Sequence, residues 1–140
     1  MRMKIASTRY SEAAFNFATL ILRLGGGLLM LLNHGLMKLN HFGQMSEKFM
    51  DPLHIGSSTT LAIVIFAEVF CSALLVLGLF TRLVCIPLII DMSFAFIQGH
   101  HMNYGPPPTG GELPVLFLSI FFALLLTGPG QVSVDRLIGK

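Results

Sequence analysis

The chain has 140 residues, 54% hydrophobic and only 11% charged, with a mean hydropathy of +0.75. A soluble domain carries about 25% charged residues, so this composition argues against a water-bathed globule. The formal net charge of +2 comes with no basic stripe beyond short tails, which leaves no role for nucleic acid as a partner.

The first apolar run covers residues 13–36. A secretory signal core is about 7–15 residues, and this run is longer, contains Arg23 and lacks a small-x-small cleavage site, so it reads as a mature helix. A polar loop follows over 38–58, rich in His, Met and Gly, with a turn signal at Asp51-Pro52. The second run, 59–80, is joined to the third, 83–98, by Thr81-Arg82, which makes these two antiparallel neighbours. Pro87 falls early in the third helix and is expected to kink it. Residues 99–111 hold too many Gly and Pro for a regular helix. Glu112 opens a fourth run over 113–126, with Pro114 well placed in its first turn. At about 1.5 Å per residue this helix is shorter than the roughly 30 Å hydrocarbon core, and Gly128-Pro129-Gly130 ends it. The expected architecture is an all-α, integral membrane four-helix bundle over residues 13–127. Residues 1–12 form an N-terminal tail and 128–140 a C-terminal tail.

Arg23, Glu68 and Asp91 each sit near the middle of a different apolar run. A charge at bilayer centre costs several kcal/mol unless it faces a bundle interior with a partner, so these three are the first candidates for function. Helical spacing aligns Asn16, Arg23, Met30 and His34 on the first helix, and Glu68, Cys71 and Ser72 on the second. On the third it aligns Asp91, Ala95, Gln98 and Met102, with Phe94 beside them. Lipid cannot satisfy these stripes, so they are expected to converge on a polar-floored cavity that opens outward. The bland alternative is interhelical glue, since small and polar residues hold membrane helices together in any case.

The charge count favours the sharper reading. Arg23 keeps its proton, so one carboxylate stays ionised against it and the other holds a proton. Contact between Arg23 and Glu68 or Asp91, directly or through one water, is therefore expected. A buried proton store beside an apolar cavity suits proton-coupled chemistry on a carrier such as a quinone, or proton-linked transport.

Basic residues set the orientation. Arg2, Lys4, Arg9, Arg82, Arg136 and Lys140 share one side, and Lys38 and Lys48 the other, which puts both termini in the cytoplasm. All five histidines (His34, His41, His54, His100 and His101) then fall outside, with Asp51 and Glu112. His100-His101, His34 and Glu112 lack metal-ligand spacing, so no intrinsic metal or haem is expected. These side chains, with Phe94 and Gln98, read as ligand contacts. Cys71 and Cys85 lie at different depths and form no C-x-x-C, so they read as small apolar fillers. Nucleophile and nucleotide motifs are absent, and Gly25-Gly26-Gly27 reads as helix packing.

Leu22-Arg23-Leu24-Gly25 through His34-Gly35 to Lys38 resembles the opening of the DoxX family. The Glu68 helix ending in Leu77-Gly78-Leu79-Phe80-Thr81-Arg82 is similar to that family's second helix and turn. Gly110-Gly111-Glu112, and Thr127-Gly128-Pro129-Gly130 with Ser133 and Asp135, resemble its closing motifs. The resemblance covers roughly residues 15–136 and implies a four-helix membrane protein, some relatives being subunits of quinone-linked oxidoreductases. It marks Arg23, Lys38, Glu68, Arg82 and Glu112 as family-type polar residues, with Lys38 and Arg82 in structural roles. Cys71-Ser72 and the His100-His101 pair depart from the family pattern. Catalytic roles are expected for Glu68, Asp91 and Arg23. The leading function is a quinone-interacting subunit that takes electrons from an outer-face partner protein or works as a homo-oligomer. The alternative is a carrier or assembly factor binding membrane lipid, a small solute or a partner.

Overall fold

The computed structural model describes residues 5–139, so Arg2, Lys4 and Lys140 of the charge count lie outside the described residues. All regular secondary structure among the described residues is helical, with no strand. Helix α1 spans Glu12–Asn40, α2 Ser57–Leu77 and α3 Thr81–Gly99, and each is long and apolar enough to cross a membrane. The fourth, α4, spans Glu112–Thr127 and is shorter, at 16 residues.

Three boundaries move from the sequence reading. α1 runs on to Asn40, which draws Lys38 out of the expected loop and into the helix. Nothing between Leu36 and Asn40 breaks a helix, and a π turn at Met30–Gly35 lets the chain pass Gly35 without stopping. α3 begins at Thr81 rather than after Arg82, because the turn is made earlier. There Gly78 adopts φ 72°, ψ 35°, and the Leu79 amide donates to the Leu74 carbonyl at 2.9 Å, closing α2 with a left-handed cap. The Phe80 and Thr81 amides then donate to the Asp135 carboxylate at 2.8 and 3.0 Å, which starts α3. Pro87 lies inside α3.

Neighbouring helices pack in the order α1, α2, α3, α4, and α4 returns to α1 to close the ring. The core joins Met30 of α1, Leu75 of α2, Cys85 and Leu88 of α3, and Phe121 and Leu124 of α4. Both cysteines are free and buried. Gly35 fixes the register between α1 and α2, since a Cβ there would come within 2.6 Å of the Glu68 carbonyl oxygen. That backbone-to-backbone approach brings the Lys38 end of α1 alongside the first half of α2.

The C-terminal segment is part of the bundle rather than a free tail. Ser133 is buried and caps the short turn Val134–Leu137, and Asp135 is buried against the α2–α3 connection.

Candidate functional site

The buried charges divide between the two ends of the bundle. Arg23 is 2% exposed and contacts neither Glu68 nor Asp91, contrary to the expected pairing. Its guanidinium donates to the carbonyls of Leu75 at 3.2 Å, Val76 at 3.0 Å, Pro129 at 2.8 Å and Val132 at 2.6 Å. The physical reason is register. Arg23 lies level with the C-terminal end of α2, where carbonyls have no helical donor and the helix dipole is negative. The carboxylate acting on it electrostatically is Asp135, at this same end. Arg82 acts alike, donating to the Leu126 carbonyl near the end of α4 at 3.3 Å. Both are structural clamps on helix ends.

The partner of Glu68 is Lys38, about 22 Å from Arg23 along α1 at about 1.5 Å per residue. Lys38 Nζ donates to both carboxylate oxygens of Glu68, at 2.8 and 2.6 Å. The pair is largely dry, with side chains 14% and 2% exposed. Asp91 of α3 meets Glu68 side chain to side chain. Its Oδ2 is buried without a hydrogen-bond partner among the described residues. One ammonium thus faces two carboxyl groups, and the cluster is electrically neutral when the two acids share one proton.

Local backbone geometry builds this site. Three π turns, Met30–Gly35, Phe66–Cys71 and Ala95–Gly99, interrupt α1, α2 and α3. His34 and Glu68 lie within two of them, and Ala95 and Gly99 belong to the third. Such turns concentrate at functional sites because one extra residue re-aims the side chains that follow.

The cluster forms the polar wall of a cavity of about 740 Å³. Its remaining lining is mostly apolar and includes Ile63, Val64, Ala67, Ile90, Phe94, Leu113, Pro114 and Phe117. Volumes of about 300–1,000 Å³ with a few convergent polar groups are typical of small-molecule sites. His34 reaches the cavity from α1 and sets its ring edge-on to Phe117, with centroids 5.5 Å apart. Phe49, Met50, Pro52, Leu53 and Ile55 cover one side of the loop end, and Pro107, Pro108 and Gly110 the other. Asp51 fixes the first loop, accepting from the Ile55 and Gly56 amides at 3.0 and 2.9 Å and from the Thr60 hydroxyl at 3.0 Å. Burial pushes the Asp51 carboxyl up, but these hydrogen bonds and His54 outweigh it and hold it below the usual carboxylate value.

Of the sequence candidates, His34, Glu68, Asp91, Phe94 and His100 meet at this cavity. Gln98, His101 and Glu112 are exposed and do not line it. His100 turns a ring nitrogen to the Thr109 carbonyl at 3.2 Å. Lys38, expected in a structural role, is the cation of the site. Its spacing of one helical turn from His34 was the available signal, hidden by ending the helix too early. Among the described residues, no three His, Cys, Asp or Glu side chains gather to hold a metal ion.

Residues 18–101 match the DoxX family. An uncharacterized Haemophilus influenzae protein is 35% identical over 73 residues, 49% of this chain and 54% of its own length. The chain therefore spans about half of that relative. The uncharacterized membrane protein Rv3486 of Mycobacterium tuberculosis is 30% identical over 128 residues, 80% of this chain and 76% of that protein. A second uncharacterized Haemophilus influenzae protein is 27% identical over 103 residues, covering 72% and 68%. No solved structure matches the chain.

Proposed function

The chain is a membrane protein that belongs to the DoxX family, and from that premise we propose that its loop-end cavity seats a quinone or a similar apolar ligand. In this reading it is the membrane-embedded subunit of a quinone-linked oxidoreductase. The observation that carries the proposal is the Asp91–Glu68 carboxyl pair, with Lys38 as its one cation, at the wall of an apolar cavity. A flat apolar ring with polar oxygens fits both the volume and the single polar wall.

A quinone, when bound, accepts two electrons and two protons. The chain's own residues do the rest. Phe94 and Phe117 flank the ring, Asp91 holds a proton at Oδ2, and Glu68 is the second acid of the pair. Lys38 balances the carboxylate that stays ionised, so the cluster carries only one excess negative charge once that proton leaves and draws a replacement proton in. His34 borders the same wall and is suited to pass a replacement proton inward. Electrons are the share of a partner protein at the loop end.

Orientation supports the same picture. With Lys38 drawn into the Glu68 pair, Lys48 is the remaining basic residue at the loop end among the described residues. Arg9, Arg82 and Arg136 lie at the other end, which favours termini in the cytoplasm of a cell membrane. Thiol labelling of Gln44→Cys and Asn103→Cys tests this. Reaction from the outer face agrees, and reaction from the cytoplasm reverses the sidedness.

Gentle purification followed by mass spectrometry of the organic extract tests the function. A quinone recovered with an oxidoreductase partner supports it. Lipid alone, with no quinone and no redox partner, would replace it with the carrier reading.

A further inference from the structure

We propose that the cavity is entered sideways from the bilayer, through a cleft between α2 and α3. The entrant is a membrane-dissolved amphipath whose neutral head reaches Asp91 while its apolar tail stays in the lipid. This rests on the reading that the cavity holds a ligand.

The argument begins with how the two helices diverge. They leave their tight connection as packed neighbours, with Phe66–Cys71 and Ser72–Leu77 of α2 against Thr81–Phe94 of α3. Beyond that, Ser57–Ile65 packs instead on the end of α1 and the short turn Phe42–Met45. The helices therefore separate toward the loop end. Ile63 and Phe66 stand on one wall of the gap, Pro87 and Ile90 on the other, and all four line the cavity. Yet Ile63, Phe66 and Ile90 are 55%, 54% and 52% exposed. A side chain that lines an interior space and also faces lipid marks where that space reaches the membrane.

At the loop end Met50, Leu53 and Ile55 also line the cavity and are 38%, 59% and 45% exposed, but the loops that carry them are tied in place. Asp51 ties the first loop to the start of α2, and the Gly111 amide donates to the Asn103 carbonyl at 2.6 Å across the second. A water-soluble ligand would have to part these loops, whereas a lipid-soluble one meets an apolar cleft.

Charge selects the head. Lys38 is already engaged by both oxygens of Glu68, and Asp91 adds a second acid. A phosphate head would face carboxyl groups with no free cation beside them. A neutral head carrying a hydrogen-bonding oxygen meets no such repulsion and can pair with the Asp91 carboxyl.

The chain contains no tryptophan, so single introduced tryptophans report cleanly. Phe94→Trp places the reporter on the cavity wall, and Val64→Trp does so from α2 if the first variant folds poorly. Phe122→Trp on the outer face of α4 is the lipid-exposed control, and Tyr104→Trp in the second loop the water-exposed one. Each is reconstituted in vesicles of chain-brominated phosphatidylcholine and titrated with iodide. The expected result is a loss of cavity-reporter fluorescence to brominated chains comparable to that of Phe122→Trp, with protection from iodide. Quenching by iodide without quenching by brominated chains would overturn the portal in favour of an opening to water. No quenching by either would overturn it in favour of a sealed cavity. The readout needs no quinone, so a preparation devoid of quinone that keeps the lipid quenching would sink the quinone reading and leave the portal standing.

Discussion

The bundle buries charge at both ends, and the two ends treat it differently. At the termini end Arg23 spends four of its five N–H donors on backbone carbonyls of α2 and of the C-terminal segment, and so ties the two together. At the loop end Lys38 engages both oxygens of Glu68, while Asp91 is a second carboxyl at the cavity wall with no cation of its own among the described residues. A saturated buried charge locks structure, and an incompletely satisfied one is open to chemistry. Burial of a charge therefore says less about function than the completeness of its partners.

The largest effect that tests this division should come from Arg23→Leu. It strands carbonyls of α2 and of the C-terminal segment at about 1–3 kcal/mol per buried group, so a loss of about 3 kcal/mol or more is expected. Denaturant unfolding in detergent measures it. Combining Arg23→Leu with Glu68→Gln should give the sum of the single effects within about 0.5 kcal/mol, because the two sites share no partner. A double variant clearly milder than that sum would join the two ends and break the comparison.

Lys38→Met comes next. It leaves Glu68 buried beside Asp91 without its cation and should cost about 2–3 kcal/mol, less than the full penalty for a dry pair because Lys38 keeps some exposure. Lys38→Met with Glu68→Gln should recover most of the loss. Failure to recover would mean that the ion pair is not what Lys38 contributes. Gly35→Ala should cost about 1–3 kcal/mol, since the new Cβ must push α1 away from the Glu68 carbonyl. A neutral Gly35→Ala would deny that this approach sets the register of the loop-end cluster.

The four apolar runs, the tight α2–α3 connection and the short fourth helix were legible in the sequence, because hydropathy and Gly/Pro punctuation report them directly. The three central charges were legible as candidates, but their partners were not. Arg23 is held by carbonyls, which leave no side-chain signature, and two of them lie more than a hundred residues away in sequence. Its apparent match in depth to Glu68 came from ending α1 at Leu36. Continuation to Asn40 shifts the register and gives Glu68 to Lys38. The π turns are equally silent, since no residue pattern in 30–35, 66–71 or 95–99 announces the extra residue. Gln98 shared the expected stripe and His101 was expected as a ligand contact just beyond it, yet both are exposed where the π turn Ala95–Gly99 ends α3.

Smaller effects sharpen the picture of the loop end. Asp91→Asn should change stability by no more than about 1 kcal/mol, because the amide keeps the shape of the acid and can donate to Glu68. It should also slow proton-coupled quinone turnover by about 10²-fold or more, because an amide cannot exchange the proton. Unchanged turnover would remove Asp91 from the chemistry. The smallest effect is at Asp51, whose folded-state value is depressed. Its contribution to holding the first loop is fully present above its ordinary value of 3.8 and is lost as pH falls through the lower folded value. Hydrogen exchange at the Ile55 and Gly56 amides should therefore stay protected down to that range, and Asp51→Asn should abolish the pH dependence. Deprotection at neutral pH would show that Asp51 does not hold the loop.

The most direct test of the central claim is the affinity of a decyl-tailed benzoquinone for the purified protein, compared between the wild type and Asp91→Leu. Leucine fills the space, removes the second carboxyl and leaves the Lys38–Glu68 pair balanced, so the fold should survive while affinity falls by about tenfold or more, equivalent to about 1.4 kcal/mol. Equal affinity for the two proteins would contradict the account, because the acid at the cavity wall would then have no part in holding its ligand.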